Sequence, residues 1–127
     1  MKLLALCILL IVVAFGAASA QKAKPDPCAD QQSQAEMNIC AGKEYKTADA
    51  ELNQVYQKLN SLLNEEEKVQ LKGAENAWLK YRDLNCEFVA DQYKGGSMRP
   101  MIHGLCLADV TRNRTAELKG QIKDRSQ

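Results

Sequence analysis

Apolar residues along the chain fall into one nearly unbroken run and three periodic stripes. The clearest stripe is Met37, Ala41, Tyr45, Ala48, Leu52, Val55, Leu59 and Leu62. Its steps of three and four residues trace one face of a helix. Ahead of it, Ser33 and Glu36 have capping-box spacing: Ser33 accepts from the third helical amide while Glu36 reaches back to the Ser33 N–H. A single helix over 34–63 is expected. Gly42 is its one interior breaker and costs about 1 kcal/mol relative to alanine; division into two helices at Gly42 is the alternative. Asn64 followed by Glu65, Glu66 and Glu67 is a second start signal, since a capping amide and early acids suit the positive helix end. The stripe Leu71, Ala74, Trp78, Tyr81, Asn85 and Phe88, widened by Ala77 and Leu84, predicts a helix over 65–92. Lys94-Gly95-Gly96 ends it. Ser97 is the candidate cap of a third helix over 98–123, where Pro100 is tolerated in the first turn and Leu107, Val110, Leu118 and Ile122 form a thinner stripe. Residues 124–127 are left as a tail. No alternating strand pattern and no repeat is visible. The expected class is all-α: antiparallel helical hairpins forming a three- to four-helix bundle, with Leu52, Val55, Leu59, Trp78, Tyr81 and Phe88 in the core.

The unbroken run has another character. Lys2, the apolar stretch Leu3 to Phe15 and Ala18-Ser19-Ala20 have the order of a secretory signal peptide cleaved before Gln21. An uncleaved anchor helix fits less well, because the run is short and ends in small residues. Cys7 lies within the run and has no lipid-acceptor context. Of the 58 apolar residues, 17 lie in these first 20, so the remaining 107 residues are about 38% apolar. Removing Lys2 leaves 16 basic against 16 acidic residues. A zero balance excludes nucleic acid as the main partner, since phosphate binding needs a basic excess. No later apolar run is long enough to span a membrane. Residues 21–32, with Pro25 and Pro27, read as an extended lead-in to one domain over 33–123. A periplasmic or secreted location follows.

Four cysteines remain after cleavage: Cys28, Cys40, Cys86 and Cys106. In a small exported chain they imply two disulfides. Their spacings match no zinc pattern, and His103 is the only histidine; no metal and no cofactor is expected. An antiparallel helix pair brings together residues equidistant from its turn. Cys86 and Cys106 are centred on position 96, within the Gly95-Gly96 turn. Cys28 and Cys40 are centred on 34, where bridging folds the lead-in over the first helix. The pairs Cys28–Cys40 and Cys86–Cys106 are therefore expected, each contributing about 3 kcal/mol in the chain-entropy account.

Catalytic chemistry is not indicated. With the cysteines paired, no thiol is free to act as a nucleophile. His103 lacks a sequence-local partner and reads as a lone surface residue. Asp49, Asp83 and Glu87 offer the residue type for glycoside hydrolysis, but acids on solvated helix faces are far commoner. Gly95-Gly96 lacks a phosphate-loop context and reads as a turn. Asn113-Arg114-Thr115 matches a glycosylation sequon but falls inside a predicted helix. Arg82 follows the stripe residue Tyr81 and so borders the core. A hairpin turning near 63–64 sets position 49 opposite about 78, within a turn of Arg82, so Asp49 and Arg82 are expected to form a structural ion pair.

The segments Glu36-Met37-Asn38-Ile39-Cys40-Ala41, Ala48-Asp49-Ala50-Glu51-Leu52-Asn53-Gln54-Val55-Tyr56 and Ala77-Trp78-Leu79-Lys80-Tyr81-Arg82-Asp83-Leu84-Asn85-Cys86 carry a resemblance, together with Cys28, Gly96-Ser97 and Cys106. The chain resembles a family of small secreted bacterial domains named after the N-terminal domain of LprI, a mycobacterial lysozyme-inhibiting lipoprotein. The likeness covers about residues 28–122. It implies a helical, disulfide-bearing, exported module without enzymatic activity, whose partner is a lysozyme-type muramidase. The chain departs from the namesake in its conventional cleavage site and in lacking a lipid-acceptor cysteine. An inhibitor needs an exposed element able to enter a carbohydrate cleft. Tyr93-Lys94-Gly95-Gly96-Ser97, braced by Cys86–Cys106, is the candidate loop, with Lys94 facing catalytic carboxylates. Glu65-Glu66-Glu67 at the opposite end is a second candidate, for a basic lysozyme surface. The alternative is a structural or interaction protein of the cell envelope with no lysozyme target.

Overall fold

The computed structural model describes residues 25–127. The expected signal segment, 1–20, lies outside the described residues, as does the start of the lead-in. Three long helices follow: α1 (Gln34–Ser61), α2 (Glu65–Ala90) and α3 (Arg99–Arg125), with one 3-10 turn, Asp91–Tyr93, between the last two. Among the described residues there is no strand.

The helix starts follow local chemistry. Ser33 Oγ accepts from the Glu36 amide at 3.2 Å, and the Glu36 carboxylate accepts from the Ser33 amide at 3.0 Å. Asn64 and Glu67 repeat the arrangement at α2, with both bonds at 3.0 Å. Each box satisfies donors that a helix start leaves open. Gly42 does not break α1. Ser97 does not cap α3: the cap is Met98, already helical at φ −79° and ψ −22°, with no side-chain cap bond. A side-chain cap needs an extended backbone, and here the turn winds straight into the helix. The Ser97 carbonyl instead accepts from Asn38 Nδ2 of α1 at 3.1 Å. The lead-in is not extended where it is described. Residues 27–30 form a turn, Asp26 Oδ1 accepts from the Cys28 amide at 2.8 Å, and Cys28 is fully buried. The helix also takes in residues expected in the tail, ending at Arg125.

Consecutive helices run antiparallel, so α1 and α3 are parallel. Gln34 reaches Met101, Glu44 reaches Arg112 and Glu51 reaches Lys119, at sequence separations of 67, 68 and 68. Small residues let these two helices approach. A Cβ placed on Gly104 would lie 3.0 Å from the Ala41 Cβ and 3.1 Å from its carbonyl carbon. Ala41, Ala48 and Ala108 are buried along the same seam. α2 packs antiparallel to α3, as Cys86–Cys106 and Glu75–Arg114 show. α2 meets α1 through longer side chains.

The two ends of the bundle are built differently. Leu52, Val55, Leu59, Leu63, Leu71 and Leu118 form the apolar core, with Tyr56, Trp78 and Ile122 packed against it. All lie towards the α1–α2 turn. The other end buries Ala41, Ala90, Gly104 and Ala108 beside Met101 and Leu107, and carries both disulfides, Cys28–Cys40 and Cys86–Cys106, with Cα–Cα distances of 5.8 and 5.5 Å.

Two residues expected in the core are not there. Tyr81 is 58% exposed and Phe88 is 75% exposed. The buried residues of α2 are Leu71, Arg82, Cys86 and Ala90; Leu71 belongs to the apolar stripe, but beyond it the buried row runs through Arg82 and Cys86, one residue or about 100° from Tyr81 and Asn85. Cys86 must face Cys106, and the residue four before it on that face is Arg82. The third expected residue of α2, Trp78, is half-buried against the leucine cluster.

Candidate interaction site

Arg82 occupies the middle of the bundle. Its guanidinium carbon lies 5.3 Å from the centroids of both the Tyr45 and Trp78 rings, in range for cation–π attraction. Nη1 stands 3.5 Å from Asp49 and Nη2 stands 2.8 Å from Asp83. The structure thus brings Asp49 and Arg82 together. It also corrects the expectation that Arg82 borders the core, since the residue is only 6% exposed. Two ring faces and the Asp83 carboxylate take the place of water around the guanidinium, while Nη1 has the 3.5 Å ion pair with Asp49 and no hydrogen-bond partner among the described residues. The Tyr45 hydroxyl feels the same crowd. Burial is the main cause raising its pKa above the ordinary phenol value; Arg82 works against the shift, and Asp49 and Asp83 add to it.

The pattern at Arg82 recurs. Arg112 bonds Glu44 and stands 3.4 Å from Asp109. Arg114 stands 3.0 Å from Glu75 and 2.9 Å from Glu117, and its guanidinium lies 6.0 Å from the Trp78 ring centroid. Arg99 bonds Glu87 and stands 3.0 Å from Asp91. Each of these arginines is shared by two carboxylates. Burial lowers the Arg114 pKa, but bonds to Glu117 and Glu75 outweigh it and the net shift is upward. Arg99 is also raised, by its bonds to Asp91 and then Glu87. His103, expected to stand alone, has its Nε2 3.5 Å from Glu87. Spacing along the chain did not reveal this contact because it joins α3 to α2.

Asp49, Asp83 and Glu87 do not converge as a catalytic set. The first two share Arg82 and the third is held by Arg99 and His103. Among the described residues, no group of three or more His, Cys, Asp or Glu could hold a metal, and no helix is long and apolar enough to cross a membrane. The clefts described at the surface reach about 290 Å³ and are partly open. One of about 210 Å³ lies between α2 and α3 and is lined by Trp78, Tyr81, Val110, Asn113, Arg114 and Glu117.

The candidate loop stands at the disulfide end. Tyr93, Lys94, Gly95, Gly96 and Ser97 are all exposed. Gly95 has φ +81°, a region side chains rarely adopt, and the Gly96 amide donates to the Tyr93 carbonyl at 2.9 Å. The loop is pinned on three sides: by Cys86–Cys106, by Arg99 bridging Glu87 and Asp91, and by Asn38 on the Ser97 carbonyl. The acidic run at the other end is partly absorbed by local structure, since Glu67 caps α2 and Glu65 pairs with Lys68 at 2.7 Å. Sequence reasoning missed the solvent face of α2, where Tyr81, Leu84 and Phe88 are exposed by 58, 62 and 75%. The three-to-four spacing of these residues is equally that of a buried row.

Comparison with known proteins finds a family and a relative. The family described as lysozyme inhibitor LprI matches residues 26–118. An uncharacterized protein of Rhizobium meliloti (strain 1021) is 39% identical over 132 aligned positions, covering 94% of each chain. No solved structure matches.

Proposed function

We propose that this chain, which belongs to the LprI lysozyme inhibitor family, is an exported non-enzymatic module that binds a lysozyme-type muramidase and blocks it. The family match across residues 26–118 carries this reading. The geometry supports a binding protein over a catalyst. The candidate carboxylates are tied to arginines, and the exposed loop is already ordered. Both disulfides suit an oxidising compartment, which supports a periplasmic or secreted location.

Inhibition requires a projecting element and a surface that holds it in place. The Tyr93–Ser97 loop is the proposed projection. Its pinned backbone loses little freedom on binding. Lys94 presents one positive charge at its tip, suited to the paired carboxylates of a glycosidase. Turbidimetric lysis of cell walls by lysozymes of several classes, with this protein in molar excess, tests the reading. Lysis is expected to slow for at least one class. Undiminished lysis by every class removes lysozyme inhibition and leaves the envelope-protein alternative.

A further inference from the structure

The two disulfides differ in what else holds their cysteines together. Cys86–Cys106 joins α2 to α3, and Glu75–Arg114, Glu87–Arg99 and Glu87–His103 join the same two helices. Its cysteines would remain face to face as thiols. Cys28–Cys40 instead joins a turn to α1. Asp26 Oδ1 accepts from the Cys28 amide, the Cys28 carbonyl from the Gln31 amide, and Glu36 from the Gln32 and Ser33 amides. The Pro27 carbonyl lies 3.9 Å from Cys40 Sγ, but a disulfide sulfur has no proton to donate. Among the described residues, every hydrogen bond of 26–33 ends within 26–37. The disulfide is thus the one described covalent or hydrogen-bonded link from the turn to α1 beyond the start of that helix. A fold that keeps two thiols adjacent raises their effective concentration and resists reduction, and a weaker anchorage leaves the bond easier to open.

Exchange also needs a thiolate to reach one sulfur, while the other sulfur leaves. Cys28 is fully buried and is closed to attack. Cys40 is half-buried and lines a surface cleft of about 290 Å³ with Gln31 and the exposed Ile39. At the second disulfide, Cys86 is fully buried and Cys106 is half-buried, with Asn85 Nδ2 3.9 Å from its sulfur. Access alone therefore does not separate the two bonds. Anchorage separates them, and access says which sulfur of the less anchored bond is attacked.

We propose that Cys40 Sγ is a thiol–disulfide exchange site, through which a dithiol reductant opens Cys28–Cys40 while Cys86–Cys106 stays closed. A thiolate of the reductant bonds to Cys40 Sγ. The electron pair of the Cys28–Cys40 bond passes to Cys28 Sγ, which takes up a proton. The second thiolate of the reductant then bonds to its first sulfur and releases Cys40, which is protonated in turn. The reductant leaves as its own disulfide, and the two cysteines have gained two electrons and two protons. Residues 25–33 are then an arm held by local bonds, free to leave α1. The Ser33–Glu36 capping box lies after the arm and does not depend on the disulfide, so α1 keeps its start. This exchange is independent of the inhibitor reading above.

The purified, oxidised chain is equilibrated with dithiothreitol at increasing ratios of reduced to oxidised reagent, alkylated, and mapped by mass spectrometry. Cys28 and Cys40 are expected to reach half-labelling at a ratio about tenfold or more below that for Cys86 and Cys106. Equal ratios, or earlier labelling of Cys86 and Cys106, overturn the proposal. With glutathione and an acid quench, the trapped mixed disulfide is expected on Cys40 and the free thiol on Cys28. The reverse placement overturns Cys40 as the attacked sulfur. After selective reduction, hydrogen exchange should rise over 26–33 while 52–63 and 111–122 keep their oxidised rates. Cys28→Ser/Cys40→Ser should show the same exchange pattern, with wild-type helix content and an unchanged midpoint for Cys86–Cys106. Acceleration throughout the helices, in the reduced chain or in this variant, overturns the proposal, because the arm is then not separable from the bundle.

Discussion

Arg82 lies buried between the Tyr45 and Trp78 rings, with Asp83 2.8 Å from its Nη2. The hairpin arithmetic sets Asp49 near it, and the two lie 3.5 Å apart. The apolar stripe through Tyr81 sets Arg82 at the edge of the core, yet it is 6% exposed. Hydrophobic scoring treats a guanidinium as polar and overlooks that Tyr45 and Trp78 offer it two ring faces. Tyr45 yields a prediction on this scale. Its pKa is raised in the folded chain, chiefly by burial. The hydroxyl therefore binds its proton more tightly folded than unfolded. The stability linked to that proton is complete below about pH 10, the unfolded phenol value, and is lost as pH rises through the raised folded value. Urea midpoints taken from about pH 9 to about pH 12 should fall more steeply for wild type than for Tyr45→Phe. Parallel profiles would contradict the assignment.

Helices differ in how much of their packing can be read from spacing. The existence, order and approximate ends of α1, α2 and α3 follow from capping residues and three-to-four periodicity, because those signals are local. The face of α2 does not, since an exposed apolar row and a buried one have the same period. Cys86 was the stronger guide: a disulfide fixes which side turns inward, and Arg82 lies one turn before it. The close approach of α1 and α3 was also not legible. Gly104 has no distinguishing pattern until Ala41 is known to face it. Glycines in these helices therefore divide by environment. Gly104→Val should destabilise by about 2 kcal/mol or more in urea unfolding, because its side chain meets Ala41 backbone that cannot easily yield. Gly42→Ala meets open space, so it should gain about 0.5–1 kcal/mol from helix propensity alone. Equal effects at the two sites would count against the packed seam.

Across the whole molecule, apolar burial and covalent linkage are divided between opposite ends. The leucine cluster holds the end near the α1–α2 turn. Both disulfides sit outside that cluster, where alanines and a glycine make up much of the buried surface, and they brace the end that bears the candidate loop. Replacing Cys86 and Cys106 together by serine should remove about 3 kcal/mol. Hydrogen exchange should then accelerate around 86–106 well before it does around 52–63 and 111–122, whereas uniform acceleration would show that the two ends are not separable. The parallel pairing of α1 with α3 has a further consequence. Its partners are 67 or 68 residues apart, so a chain emerging N-terminus first, from a ribosome or through a translocation pore, carries α1 and α2 for a long interval before the helix that closes against both arrives. Such a chain stays threadable until nearly all of it has been delivered, and it commits to its folded form only as the final quarter appears.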